Sequence, residues 1–360
     1  MVTGGLHPSG TTQVIPALLW FIERLARAHD VHAFSVRHLP KPDTYRLLGA
    51  TVHDLGRPHG HWRQWRALRR AVSANGPFDV IHGYWVDPAG LIAALVGRQL
   101  RIPTVVTCGS GEFVSLPEID YGLQRSARGR AVVSLACRAA TRVHVESQYM
   151  QDLARAKGVE AVCVPFGVDL QRVQPPPGRG DGPPWRLLQL ASLNPVKDQS
   201  TVLRALAITR RSLDVHLDLV GEDTLNGRLL REATALGIAE AVTFHGFQPQ
   251  DSLARLRDAA HLYVQTSRHE AAGIAVFEAA AAQLPIVGTR VGFVSDWADH
   301  AAVAVLPSNP DALAAAIASL IRNPVRRVEL AREARTFAEQ HDADYTARSM
   351  TALYESLPRE

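Results

Sequence analysis

Cysteine is scarce and scattered: Cys108, Cys137 and Cys163 are the only three in 360 residues, and none forms a Cys-x-x-Cys pair. That odd count and spacing argue against a disulfide framework and favour reduced thiols in a cytosol. Also lacking is a charged N-terminal region followed by an apolar stretch. The longest apolar runs, such as Val14–Ile22, are too short to span a bilayer. The expectation is a cytoplasmic protein, with room for peripheral contact at the inner membrane face. No Gly-x-Gly-x-x-Gly joins a strand to a helix, which counts against a dinucleotide oxidoreductase. Net charge is only +4, and arginine reads as scattered among Asp and Glu, without basic runs interleaved with aromatics. No nucleic-acid partner is therefore expected.

What is present is apolar residue, 46% of the chain, enough for more than one core at this length. Val31–Val36, Asp79–His82, Thr104–Thr107, Arg142–Val145 and Ala161–Pro165 are strand-like, with helical patterns between them. Val14, Leu18, Leu19, Ile22 and Leu25 recur at helical spacing, so a helix entering at Gln13 should pack on the sheet. Residues 174–185 hold too much Pro and Gly to continue helix or strand, and read as a linker. The alternation restarts with Arg186–Ala191, Leu217–Val220, Val242–His245, Leu262–Gln265 and Ile286–Gly288. The pattern predicts an α/β protein of two Rossmann-like domains, 1–173 and 186–334, facing each other across a cleft. Residues 335–360 form a last helical stretch expected to pack back on the first domain. Only Met1-Val2-Thr3 precede Gly4-Gly5, so the first strand should be very short or missing.

The chemistry concentrates at 265–285, which reads as strand end, loop, then helix from about Gly273. Free amides at a helix start, with the macrodipole behind them, suit a diphosphate, and Ala271, Ala272 and Gly273 let a ligand approach the backbone. Glu278 lies eight residues after Glu270, roughly 12 Å along a helix. A phosphate near the helix start would thus have a carboxylate on either side, and carboxylates accept hydrogen bonds from sugar hydroxyls.

Glu270-x7-Glu278 followed by Ala279-Ala-Ala-Ala-Gln-Leu-Pro285 resembles the Glu-x7-Glu signature of family 4 retaining glycosyltransferases of the GT-B fold. Pro165-Phe-Gly-Val-Asp169, Leu193-Asn-Pro-Val-Lys197, Leu219-Val-Gly-Glu222 and Phe244-His-Gly-Phe247 resemble further segments of that family in the same order. The resemblance implies a nucleotide-sugar donor and an acceptor hydroxyl, saccharide, lipid-linked or small-molecule. It implies no cofactor and no metal, in keeping with the lack of a paired-Asp motif. By resemblance, Glu270 contacts the donor sugar and Glu278 the ribose, while Lys197 neutralises the diphosphate. Amides near Ala272 to Ile274, together with Phe247 and Gly10, complete the donor side. Glu270 and Lys197 are the expected catalytic pair. A catalytically inactive sugar-nucleotide-binding protein and a GT-B epimerase remain as alternatives.

Three departures stand out. Ser192 occupies the place of a family arginine, leaving diphosphate charge to Lys197, Arg268 or another arginine, and Gln283 replaces a turn glycine. Gly109 stands where a histidine is common, making Glu112 the nearest polar candidate for substrate contact. His82, at a strand end, is a second acceptor candidate by the strand-end rule. His53, His59 and His61 read as loop residues rather than metal ligands, and Arg125, Arg128 and Arg130 as a basic helix facing solvent or an anionic acceptor.

Overall fold

A computed structural model describes residues 1–10, 15–176 and 178–358. The chain divides into two compact units, Met1–Gly167 with Ala343–Glu360, and Val168–Asp342. Gln13, Val14 and Pro177 lie outside the described residues.

The first unit runs β1 (Val2–Thr3), α1 (Pro16–Leu25), β2 (His32–Ser35), β3 (Asp43–Leu47), β4 (Ala50–Asp54), α2 (His61–Asn75), β5 (Ile81–Tyr84), α3 (Leu91–Leu100), β6 (Thr104–Thr107), α4 (Ala127–Ala139), β7 (Arg142–Val145), α5 (Gln148–Ala156) and β8 (Val162–Cys163). Its sheet has the order β3-β4-β2-β1-β5-β6-β7-β8, parallel except for β3 against β4. Short as it is, β1 pairs with both β2 and β5, so two residues complete the sheet's centre. The loop after it is anchored too: Leu6 donates its amide to Ser35 Oγ (3.1 Å) and its carbonyl accepts from the Tyr45 hydroxyl. On α1, Leu18, Leu19, Ile22 and Leu25 are all buried, as their spacing predicts.

The second unit runs β9 (Trp185–Leu190), α6 (Gln199–Thr209), β10 (Val215–Val220), α7 (Arg228–Ala235), β11 (Val242–Phe244), α8 (Gln250–Ala259), β12 (Leu262–Gln265), α9 (Ile274–Ala281), β13 (Ile286–Thr289), α10 (Gly292–Asp296), β14 (Val303–Val305), α11 (Pro310–Arg322) and α12 (Pro324–Gln340). All six strands are parallel, in the order β11-β10-β9-β12-β13-β14. Leu187, Leu217, Leu262, Val264 and Val287 from its strands meet Leu203, Leu206, Leu313 and Ile317 in one core.

The stretch 335–357 is not one helix. It breaks at His341-Asp342 between α12, in the second unit, and α13 (Ala343–Glu355), in the first, where Thr346 Oγ1 bonds the Gly167 amide (2.8 Å). Nor do residues 178–185 hang free. Arg179 donates to the carbonyls of Gln283 (2.9 Å) and Ala282 (3.2 Å), Asp181 pairs with Arg327 (2.5 Å), and Arg327 lies 4.8 Å over the Trp185 ring. Gln283 itself adopts φ +52, a left-handed conformation that explains why a glycine would suit this turn.

The basic residues are less scattered than they read. α2 presents Trp62, Arg63, Trp65, Arg66, Arg69 and Arg70 with no acidic residue, so basic and aromatic side chains do interleave there. Gln64, Leu68 and Val72 form its buried stripe; Trp62 is 67% exposed and stacked on Trp65. In contrast, Arg125 pairs with Asp120 and Arg130 bonds the Gln124 carbonyl (2.9 Å), tying down the loop before α4. His53 is not in a loop: it lies on β4 against His32 (2.9 Å), whereas His61 opens α2 against Asp87 (2.5 Å).

Candidate active site

In the second unit the strand order reverses between β9 and β12, the point where open α/β sheets bind ligands beyond their carboxyl ends. The loop after β9 carries Lys197 and the loop after β12 carries Glu270. The two loops are laced together. Asn194 Oδ1 accepts from the Val196 (3.1 Å) and Lys197 (3.0 Å) amides, the Arg268 amide donates to the Val196 carbonyl (2.8 Å), and Thr266 Oγ1 donates to the Lys197 carbonyl (2.9 Å).

This frame brings Lys197 Nζ to 2.5 Å from Glu270 Oε1, which also accepts from Gln265 Nε2 (2.5 Å) and Ser267 Oγ (2.6 Å). Three donors on one oxygen hold a carboxylate that is only 9% exposed, and among the described residues no side chain bonds its Oε2. That oxygen is an oriented acceptor. Asp198 Oδ2 accepts from Arg268 Nε (3.2 Å), Thr201 Oγ1 (2.9 Å) and Ser308 Oγ (3.1 Å), so Arg268 is engaged in holding the loop. Ser192, in the place of the family arginine, contributes its carbonyl to Gln199 Nε2 (3.1 Å).

Ala271 and Ala272 are buried, and Gly273 turns at φ +95 into α9, whose start has no side-chain cap and no acid in its first turn. Among the described residues nothing accepts from the amides of Ile274 and Ala275, which are orphans of the kind a helix start leaves. The turn is held from behind: Phe293 donates its amide to the Ala272 carbonyl (2.8 Å), and Gly292, at φ +53, packs so closely that a Cβ would lie 2.4 Å from that carbonyl and 2.9 Å from Glu270 Cβ.

Glu278 faces inward rather than to solvent. Its Oε2 accepts from Arg257 Nη1 (3.1 Å) and its Oε1 from Gln250 Nε2 (3.1 Å), both on α8. Burial raises its pKa, and Arg257 and then Gln250 pull it back only in part. Phe247 is exposed after Gly246, past the end of β11, an edge strand separated from β12 by β10 and β9.

In the first unit His82 is not an outward-facing strand-end residue. It is 2% exposed, with Nδ1 bonded to the Tyr354 hydroxyl (2.6 Å) and Nε2 to Thr107 Oγ1 (2.6 Å), which continues to His144 Nδ1 (2.8 Å). Burial holds its pKa well below the usual histidine value. Both nitrogens are committed, so His82 ties α13 to β5 and β6 instead of meeting an acceptor. Glu112 is buried as well, accepting from the Ser110 (2.7 Å) and Val86 (3.4 Å) amides, with its pKa raised by burial against those amides. Gly10 lies in the loop after β1, at φ +64, its amide bonded to the His7 carbonyl (2.9 Å).

Four contributors escape a reading by motif: Gln265 and Ser267, which orient Glu270; Arg257, which pairs Glu278; and Gly292. A fifth is Glu146, 3% exposed directly after β7, its Oε1 accepting from the Tyr84 hydroxyl (2.5 Å) and its pKa pushed up to about 7 by burial. A lone acid ending an apolar strand, Val-His-Val-Glu146, is the signal that could have found it.

A carboxylate held by three donors beside a lysine, next to an open helix start at a sheet's switch point, is an arrangement that can receive an anionic, hydroxylated ligand in an α/β protein. The description Glycosyl transferases group 1 matches residues 174–337, and Glycosyl transferase 4-like domain matches residues 14–167. The chain is 30% identical over 291 residues to an MMP alpha-(1->4)-mannosyltransferase of Mycolicibacterium hassiacum, covering 76% of this chain and 69% of that one. It is 28% identical over 305 residues to a D-inositol 3-phosphate glycosyltransferase of Segniliparus rotundus, covering 78% and 67%. Among solved structures, sucrose-phosphate synthase from Thermosynechococcus elongatus superposes with a TM-score of 0.78 at 21% identity, over 93% of this chain and 91% of that one. Anabaena HepE in complex with UDP-glucose gives 0.77 at 20%, over 99% of both. The chain belongs to the group 1 glycosyltransferases, and its two units are the α/β domains of a GT-B fold.

Proposed function

We propose that the protein transfers a glycosyl group from a nucleoside-diphosphate sugar to an acceptor hydroxyl, with retention of configuration and without a metal ion. The observation that carries this reading is Glu270, fixed by Lys197, Gln265 and Ser267 with one carboxylate oxygen left to accept, beside the uncapped start of α9. In this reading Glu270 orients the donor sugar, and the amides from Ala272 to Ile274 and the Lys197 ammonium take up the charge that develops on the departing diphosphate. Glu278, held by Arg257 and Gln250, receives the ribose hydroxyls. The leaving phosphate oxygen accepts the proton of the acceptor hydroxyl, so no protein nucleophile is required. The UDP-glucose complex of HepE and the transferase names of the relatives support a nucleotide-sugar donor. Calorimetric titration with UDP-, GDP- and ADP-sugars tests the reading. Binding of one of them in the micromolar to millimolar range, weakened about tenfold or more by Glu278→Ala, is expected. No binding of any sugar nucleotide would sink it.

Among the described residues no helix is long and apolar enough to cross a membrane. We propose that contact with an anionic membrane surface runs through α2, whose arginines and exposed Trp62 suit the headgroup boundary. Replacing Arg63 and Arg66 by Glu should weaken sedimentation with phosphatidylglycerol vesicles by more than about tenfold. Unchanged sedimentation, or equal binding to phosphatidylcholine vesicles, would overturn it.

A further inference from the structure

Beyond the donor side, the first unit holds a buried acid whose bonding is incomplete. Glu146 follows β7, Trp85 follows β5 and Gly109 follows β6, three neighbouring parallel strands whose carboxyl ends meet at one place. The Tyr84 hydroxyl bonds Glu146 Oε1 (2.5 Å), but among the described residues nothing bonds Glu146 Oε2 or Trp85 Nε1. Both atoms look onto the space that a side chain at Gly109 would fill. A Cβ built there lies 3.5 Å from Glu146 Oε2 and 3.6 Å from Trp85 Nε1, with Thr107 Cγ2 at 3.6 Å behind. With no side chain on Gly109, a ligand group can approach over its bare Cα, and the carboxylate acceptor and the indole donor both line that approach. Trp85 holds this position at φ +66, a backbone conformation that a bulky side chain rarely adopts.

We propose that Glu146, Trp85 and the bare backbone of Gly109 form a subsite for a neutral polyhydroxylated ligand, such as the sugar or cyclitol portion of the acceptor. The proposal rests on the sugar-transfer reading for its place in the reaction, but its binding chemistry stands on the first unit alone. A hydroxyl is donor and acceptor together, which matches the indole N–H and the carboxylate side by side. A phosphate does not match: among the described residues no lysine or arginine bonds Glu146 or the neighbouring buried Glu112, so nothing there offsets a phosphate's charge. The half-buried indole adds an apolar face of the kind that packs against sugar C–H groups.

Gly109→Ala is the deciding variant, because its methyl makes only ordinary contacts and should leave the fold intact while occupying the space. Glu146→Met removes the acceptor and is the second variant. Saturation-transfer NMR with myo-inositol, D-inositol 3-phosphate and methyl α-D-glucoside at millimolar concentration supplies the readout, with melting temperature checking each variant's fold. At least one polyol should bind the wild type and lose about tenfold in affinity in Gly109→Ala, while UDP-sugar affinity stays at the wild-type value. Equal polyol binding by wild type and Gly109→Ala overturns the subsite, as does the absence of polyol binding by a folded wild type. Failure of the sugar-transfer reading shows separately, as loss of the UDP-sugar signal in the wild type.

Discussion

Lys197→Ala is expected to lower turnover about 10²- to 10³-fold, the scale on which a single group stabilising developing charge usually matters. The fold should survive the change. Lys197 is partly exposed, and Glu270 Oε1 keeps Gln265 and Ser267 as donors once the ammonium is gone. Steady-state kinetics separate the roles: a lysine that acts on the leaving diphosphate lowers kcat and kcat/KM together, whereas one that only positions Glu270 shows itself mainly in donor KM. Lys197→Arg should recover little, since a planar guanidinium does not occupy the place of a compact ammonium whose nitrogen sits 2.5 Å from Glu270. Turnover within about twofold of wild type in Lys197→Ala would refute the leaving-group role.

That this lysine and Glu270 lie together is legible only in outline from the chain. The β-branched runs predict strands correctly at Thr104–Thr107 and Leu262–Gln265, because buried parallel strands are apolar on both faces and stand out against their surroundings. The hairpin β3–β4 escapes because β3 is an edge strand whose Asp43, Thr44 and Arg46 face water, leaving little apolar pattern to read. His82 misleads for another reason. It sits two residues before the end of β5, where the strand-end rule points outward, yet its partner Tyr354 is 272 residues away and arrives only with α13. The helix-start geometry at Gly273 is legible because small residues and a glycine announce it. The donors that aim Glu270 are not, since Gln265 and Ser267 acquire that role only when the loop folds back on itself.

Arg257→Ala carries the largest expected loss of stability. Arg257 and Glu278 form an ion pair whose side chains are 3% and 5% exposed, linking α8 to α9 beneath the candidate donor site. Removing one partner of such a pair leaves an uncompensated buried charge, at a cost of about 3–5 kcal/mol. For a unit of this size that corresponds to a fall in melting temperature on the order of 10 °C. The loss should depend on pH. Glu278 already has a folded-state pKa above its unfolded value, because burial outweighs Arg257 and Gln250, and without Arg257 it rises further. Below the usual glutamate range the carboxyl is protonated in both states; the wild type then holds the buried Arg257 without a carboxylate partner, so the variant loses little beyond packing. As pH rises, the unfolded chain ionises before the folded one, so stability falls, and falls further in Arg257→Ala. The gap in melting temperature between variant and wild type should therefore widen from about pH 4 to pH 8. Arg257→Leu combined with Glu278→Leu should regain most of the lost stability, since no charge is then left unpaired, while losing affinity for the sugar nucleotide. A pH-independent gap would mean that Glu278 stays ionised without its arginine, and recovery of stability together with wild-type donor affinity in the double variant would remove Glu278 from the ribose contact.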